Sequence, residues 1–208
     1  MNKTKISILL AMALGDGLIR RRINPNRKAA NYSITIKHSI KQKEYLEYKA
    51  SLINSALGGR QNEVKYINNN GYLGCCYSKG GKELGVIYKL LYSDNKKKIT
   101  RKALEYLTPQ GIAIWYMDDG SLYAQRRNGR VHAYQMVLST YCEDIEEAQD
   151  IINYFIDTWN IKFNIKKNKN RYSLTCNTKE IRKFIEIVKP YVSKIKCMTY
   201  KIDRITNN

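Results

Sequence analysis

The chain has 208 residues, 43% of them apolar, enough for one large domain or two small ones with real cores and too many for a disordered chain. It carries 37 Lys and Arg against 18 Asp and Glu, a formal charge of +19. That excess points to a polyanionic partner; with no apolar run of spanning length and no basic amphipathic helix bearing an aromatic face, nucleic acid is favoured over a membrane.

The first predicted element is a helix over roughly Ile6–Asp16, inside the apolar run "ISILLAMALGDGLI", with one acid, Asp16, between Gly15 and Gly17. Lys3, Lys5 and Ala11-Met12-Ala13 also fit an export signal with its cleavage site, a reading that the rest of the chain argues against. A strand follows, with Ser33, Thr35 and Lys37 alternating against Tyr32, Ile34 and Ile36. It runs into an amphipathic helix ending near Gly58, then a hairpin and helix over Asn68–Tyr92. A second apolar helix is predicted over Pro109–Asp119, with Thr108 as its capping hydroxyl and Pro109 in the first turn. Gly17 and Gly120 stand where these two helices must stop, in the left-handed conformation that glycine tolerates. Another strand and helix occupy Gln135–Asn160, where the acidic run Glu143–Asp150 is assigned to a solvated helix face and given no chemistry. In the last hairpin Lys162, Asn164, Lys166, Arg171, Ser173 and Thr175 form a polar set opposite Phe163, Ile165, Tyr172, Leu174 and Cys176.

The elements recur. "AMALGDGLI" (11–19) matches "IWYMDDGSL" (114–122), aligning Asp16 with Asp119 at an offset of 103. The strand-helix and hairpin-helix segments follow in the same order, and "KITR" (98–101) matches "KIDR" (201–204). Two copies of one module, residues 1–101 and 102–208, explain the pattern, each reading helix, strand, strand, helix, strand, strand, helix. An export signal would not recur in mid-chain. The first copy holds 20 Lys and Arg against 6 acids, the second 17 against 12. Five cysteines without Cys-x-x-Cys spacing, and only His38 and His132, fit neither a zinc site nor a disulfide framework; free thiols in a reducing compartment are expected. The histidines fall on predicted strands and receive no catalytic assignment.

Ala11 and Gly15 give the first apolar helix a small face, so a pseudo-two-fold axis would pair the two helices closely. Their ends would then bring Asp16 and Asp119 together, where like charges and helix C-termini require a cation. Oxygen ligands suit Mg²⁺ (or Mn²⁺), which would activate water and stabilise a leaving 3′ oxygen in phosphodiester hydrolysis. A lysine from each copy would offset charge on the transition state, with Lys98 and Lys201 as the repeat-matched pair. Gly80-Gly81-Lys82 lacks the upstream glycine of a phosphate loop, which argues against an NTP-driven enzyme.

The two segments, "LTPQGIAIWYMDDGSLY" (107–123) above all, resemble the paired motifs of the LAGLIDADG homing endonucleases in their single-chain form, in the branch that includes the yeast mitochondrial omega-intron endonuclease. The resemblance implies an α/β (α+β) fold of two pseudo-symmetric αββαββα subdomains, with antiparallel saddle sheets set in successive major grooves and packed through the paired helices. It implies cleavage across the intervening minor groove, leaving short 3′ overhangs. The penultimate position of each motif carries the metal-binding aspartate over to Asp16 and Asp119; Gly15 and Asp118 are kept as further metal-site residues, although Asp118 points about 100° away on a helix and reads as a cap or interface residue. The family's basic residue carries over to Lys201 and to one of Lys96, Lys97 and Lys98, with Lys98 preferred. The usual proline of the family's lysine-containing ending is missing from both copies.

Strand alternation selects Arg20, Arg22, Ser33, Thr35, Lys37, Tyr123, Gln125, Gln135, Ser139, Lys162, Asn164, Lys166, Arg171, Ser173 and Thr175 as outward, DNA-contacting residues. Two repeats covering two helical turns suggest an asymmetric double-stranded target of about 20 base pairs, bound by a monomer acting as a pseudo-dimer. A splicing cofactor for a group I intron RNA is the alternative, and a catalytically dead DNA-binding module the third reading. The expected location is intracellular, in an organelle (mitochondrion or chloroplast) or a bacterial or phage cytoplasm, and not secreted.

Overall fold

The computed structural model describes residues 1–23, 30–69, 72–94 and 96–206, with only the backbone of Asn69, Tyr72 and Thr206. The first half runs α1 (Lys3–Leu14), β1 (Leu18–Arg22), β2 (Asn31–Ser39), α2 (Lys43–Leu57), β3 (Lys65–Asn69), β4 (Tyr72–Gly80) and α3 (Leu84–Leu91). A two-residue ladder, β5 (Tyr92–Ser93) with β6 (Lys96–Lys97), and the short α4 (Arg101–Leu104) lead into the second half. That half repeats the order as α5 (Pro109–Asp119), β7 (Gly120–Arg127), β8 (Arg130–Cys142), α6 (Ile145–Trp159), β9 (Asn164–Asn168), β10 (Arg171–Asn177) and α7 (Thr178–Val192). A 3-10 turn (Lys196–Lys201) and α8 (Asp203–Thr206) close the chain as described.

Each half forms a four-stranded antiparallel sheet of the same topology, β1-β2-β4-β3 and β7-β8-β10-β9. The alternation expected from the sequence is present: Ile34, Ile36, Cys75 and Tyr77 face the core of the first sheet, as do Leu122, Met136, Leu138 and Leu174 in the second. Asn128 and Gly129, both at positive φ, turn β7 into β8 as a tight hairpin.

α1 and α5 are buried all round rather than on one face, Ile6–Leu14 in one and Gly111–Met117 in the other. A helix apolar on every side belongs between layers, and these two pack on each other between α2 and α3 on one side and α7 on the other. Their close approach comes from glycine: a Cβ on Gly111 would lie 2.3 Å from Ser7 Oγ, and one on Gly15 would lie 2.2 Å from Asp118 Oδ2. Ser7 Oγ accepts the Thr108 N–H (2.8 Å), tying α1 to the cap of α5. The expected left-handed stops are absent. Gly120 has φ −83°, and no positive φ occurs at Gly17. Glycine is needed at both for space, because a Cβ would sit 2.4 Å from the Met12 carbonyl or 2.0 Å from the Tyr116 ring.

The acidic run does not lie wholly in solvent. Glu147 is buried, and its Oε1 accepts the N–H of Ile99. Among the described residues all five cysteines are free, and no helix is long and apolar enough to cross a membrane.

Candidate active site and nucleic-acid face

α1 ends at Leu14, two residues short of Asp16, whereas α5 runs through Asp119. The two carboxylates therefore leave the helix pair in different settings. Asp16 keeps its side chain 42% exposed; its carboxyl is raised above the ordinary value by burial, then by the charge of Asp118. Asp119 sits deeper and is pushed up to about 7, by burial first and then by Asp118 and Asp16. Its Oδ2 is buried and makes no well-formed hydrogen bond among the described residues, although the Trp115 indole lies close enough to lower the carboxyl slightly.

A lysine faces the end of each central helix. Lys201 is buried and donates its Nζ to the Gly120 carbonyl (2.5 Å), while Lys97, exposed along its stem, turns its Nζ inward onto the Leu14 carbonyl (2.5 Å). Burial lowers both ammonium groups, and the acids of the site raise them in partial compensation. Of Lys96, Lys97 and Lys98, the one brought to the carboxylates is thus Lys97. Lys98, preferred from the repeat offset, lies exposed with its charge beside Glu147, and Lys96 is exposed in the ladder. The β5–β6 ladder explains the choice, because pairing Lys97 with Tyr92 folds it back past the end of α3.

Beside Asp16 is a buried polar cluster of which sequence reading singled out only Asp118, as a metal-site candidate and as a cap or interface residue. Asp118 Oδ2 accepts the N–H of Asp16 (3.1 Å), and its Oδ1 receives the Lys49 ammonium (2.5 Å) and the Tyr45 hydroxyl (2.8 Å). Lys49 and Asp118 have side chains with no exposed surface. Lys49 Nζ lies 3.1 Å from His38 Nε2, and His38 Nδ1 lies 3.1 Å from Gln42 Oε1 and 3.8 Å from Asp16 Oδ2. Burial and the Lys49 charge push His38 down to about 4. With an ammonium on Nε2, the proton of this neutral ring belongs on Nδ1, facing Gln42. Asp16, His38 and Asp118 can place donor atoms within 4.8 Å of one another, but His38 and Asp118 already spend theirs on protein partners. Gly15 contributes the space that Asp118 occupies.

The outer faces of the two sheets carry the remaining expected residues. Arg20, Arg22, Ser33, Thr35 and Lys37 lie outward in the first sheet, and Thr35 Oγ1 meets Ser78 Oγ at 3.0 Å. Register adds Ser78, Cys76 and Lys65 to that face, which the sequence hid because the outward positions of β4 are Gly74, Cys76, Ser78 and Gly80, none of them charged. In the second sheet Tyr123, Gln125, Gln135, Ser139, Asn164, Lys166, Arg171 and Ser173 lie outward or half-buried. One expected residue does not face outward. Thr175 is buried, flanked by Val137 and Asn164, and its hydroxyl turns to the Asn164 carbonyl (3.4 Å). Lys162 precedes β9, with its backbone N–H donated to Glu180 (2.9 Å), and its side chain is exposed like those of Asn164 and Lys166.

The fold and repeat have counterparts among known proteins. A solved structure described as the homing endonuclease I-WcaI bound to its DNA recognition sequence superposes with a TM-score of 0.76 at 22% identity, over 97% of this chain and 86% of that one. A probable intron-encoded endonuclease 1 of Wickerhamomyces canadensis is 32% identical over 113 residues, 53% of this chain and 47% of that protein. Protein RecA of Mycobacterium gastri is 28% identical over 203 residues, 94% of this chain and 46% of its own length. The chain thus spans about half the length of these curated relatives. The profile of the LAGLIDADG DNA endonuclease family matches residues 6–184, across both central helices and both sheets, and the chain belongs to that family.

Proposed function

We propose that the chain is a site-specific endonuclease that hydrolyses both strands of a long, asymmetric DNA target with a divalent metal. The observation that carries this reading is the pair of carboxylates at the ends of two packed helices, one with a buried oxygen that makes no well-formed hydrogen bond among the described residues. Both carboxyls are raised by burial and by neighbouring acid, an arrangement that a cation relieves. Asp16 and Asp119 would hold Mg²⁺ or Mn²⁺, whose oxygen preference and retained waters suit a site shared with a phosphate. Bound there, the ion supplies Lewis-acid polarisation of the phosphate and a more acidic water.

The chain's own residues supply the rest. In hydrolysis a water oxygen bonds to phosphorus as the bond to the 3′ oxygen breaks, leaving a 5′ phosphate and a 3′ hydroxyl. Lys97 and Lys201 place positive charge where negative charge builds on the phosphate. The two sheet faces, set on either side of the helix pair, offer Arg, Lys, Gln and Asn to base edges and Ser and Thr to bases or phosphates. Unlike residues at matched positions favour an asymmetric site, about two helical turns or 20 base pairs long. Cleavage across the minor groove between the sheets leaves short 3′ overhangs, and one chain acts as a pseudo-dimer.

The test is incubation with a randomised duplex library in Mg²⁺ or Ca²⁺, followed by sequencing of the cut ends. One enriched site of this length, cut with a fixed 3′ overhang in Mg²⁺, is expected. Absence of cutting together with tight binding to a folded group I intron RNA would overturn the nuclease reading.

A further inference from the structure

We propose that Asp118 and Lys49 are positioning residues that hold Asp16 and have no counterpart at Asp119, so that the two strands of the target are cut at unequal rates. The inference rests on the assignment of Asp16 and Asp119 above. Its physical root is the different end of each central helix. Asp119 is the last residue of α5 and its N–H belongs to the helix ladder. Asp16 lies beyond the end of α1; Gly15 and Gly17 donate to Ala11 and Met12, but the Asp16 N–H goes to Asp118 Oδ2. Asp118 comes from the other half of the molecule and reaches across the helix pair through the space left by Gly15.

A buried carboxylate holds such a position only if its charge is met. Lys49 meets it from α2, and the single proton of the Tyr45 hydroxyl is shared between Asp118 and the Ile114 carbonyl (3.0 Å). The second half has no such device. Both α2 and α6 have 15 residues, so Lys49 corresponds to Ile151 and Tyr45 to Glu147, while strand register sets His38 against Thr140. The counterpart of Asp118 is Gly15 itself, which has no side chain to return the contact. The support is one-sided by construction.

The experiment follows both strands of the selected duplex, labelled with different dyes, in single-turnover cleavage. In Asp118→Ala the strand served by Asp16 is expected to slow relative to the other on the order of ten- to a hundredfold, since small misplacements of a reacting group cost that much. The double variant Asp118→Asn with Lys49→Met keeps an oxygen for the Asp16 N–H and strands no cation, so it should restore most of the ratio. If Asp118→Ala fails to fold, Asp118→Leu with Lys49→Met, which removes the oxygen and strands no cation, takes its place and should show the same strand-selective loss. A structural role alone would slow both strands in equal proportion, and that result overturns the proposal. Amide hydrogen exchange of the DNA-free protein is the second readout. Peptides covering Asp16 should exchange faster in Asp118→Ala, with those covering Asp119 unchanged, and equal change in both overturns it. If the wild-type chain cuts nothing, the nuclease reading fails, while the exchange data still decide whether Asp118 holds Asp16.

Discussion

Tyr116 and Lys201 hold each other: the Tyr116 hydroxyl donates to the Lys201 carbonyl at 2.7 Å, and the Lys201 ammonium donates to the carbonyl of Gly120, four residues along from Tyr116. The hydroxyl is buried and raised well above its ordinary value by that burial, which keeps it a donor at every working pH. Tyr116→Phe keeps the edge-on contact with Phe184 but leaves a buried carbonyl without its proton. It should cost about 1–3 kcal/mol, read as a lower urea midpoint at unchanged slope. Cleavage should fall as well, because Lys201 loses its backbone anchor; unchanged stability would show that water replaces the hydroxyl.

Removal of metal should expose the strain between the carboxylates as a pH dependence. The Asp119 carboxyl titrates near 3.8 when unfolded and at about 7 when folded, so between those values the folded chain binds more protons. Stability contributed by this group is therefore lost as pH rises from about 4 through 7. His38, depressed from 6.5 to about 4, works in the opposite direction over part of that range, so the useful quantity is a difference between proteins. In chelator, the melting temperature of Asp119→Asn minus that of wild type should grow with pH and level off above about 7. Mg²⁺ should shrink it. A difference that is flat with pH would mean that Asp119 ionises freely.

The two neighbouring lysines of the first half should separate cleanly. Lys97→Met removes the ammonium facing the helix end and should reduce single-turnover cleavage by about a hundredfold, with target affinity little changed. Lys98→Met removes an exposed charge and should change the rate by less than about threefold. The reverse ranking would show that the ladder shifts when DNA binds.

Thiol chemistry can map the outer sheet face. Burial pushes Cys142 and Cys176 up to about 12, leaving almost no thiolate at pH 8. Cys76 is only half-buried and is paired in register with Lys37 and Lys65 on the outward side. Iodoacetamide should modify Cys76 well ahead of Cys142 and Cys176, and bound target duplex should protect it. Modification at equal rates with and without DNA would remove β3 and β4 from the interface.

Much of this architecture was legible because it is periodic. Two helices apolar on every side, two acids at matched ends and alternating strands follow from spacing alone, and Pro109–Asp119 was bounded correctly from Thr108-Pro109 at one end and Gly120 at the other. A single offset misled where the copies have drifted. The central acids match at 103, the second strands and helices at 102, and the lysines Lys97 and Lys201 stand 104 apart. The same limit hid Lys49 and Glu147. A charged residue on an amphipathic helix reads as solvated until its partner is known, and here the partners, Asp118 and the Ile99 N–H, come from the opposite half. Thr175 was misjudged for a different reason, since alternation gives the face of a strand and not how deeply its neighbours cover it.

The one-sided contact of Asp118 with Gly15 and Lys49 also sets a rule of kinship between the halves. Two first halves brought together would bury two Lys49 ammonium groups with glycine opposite each and no acid to meet them. Two second halves would drive two Asp118 side chains into one space, against Ile151 instead of a cation. Only an unlike pair closes the contact. A symmetric pair built from either half as it now stands should assemble less stably than the unlike pair, and a hybrid made with a half from a relative should do best where the donor keeps its side of this lock.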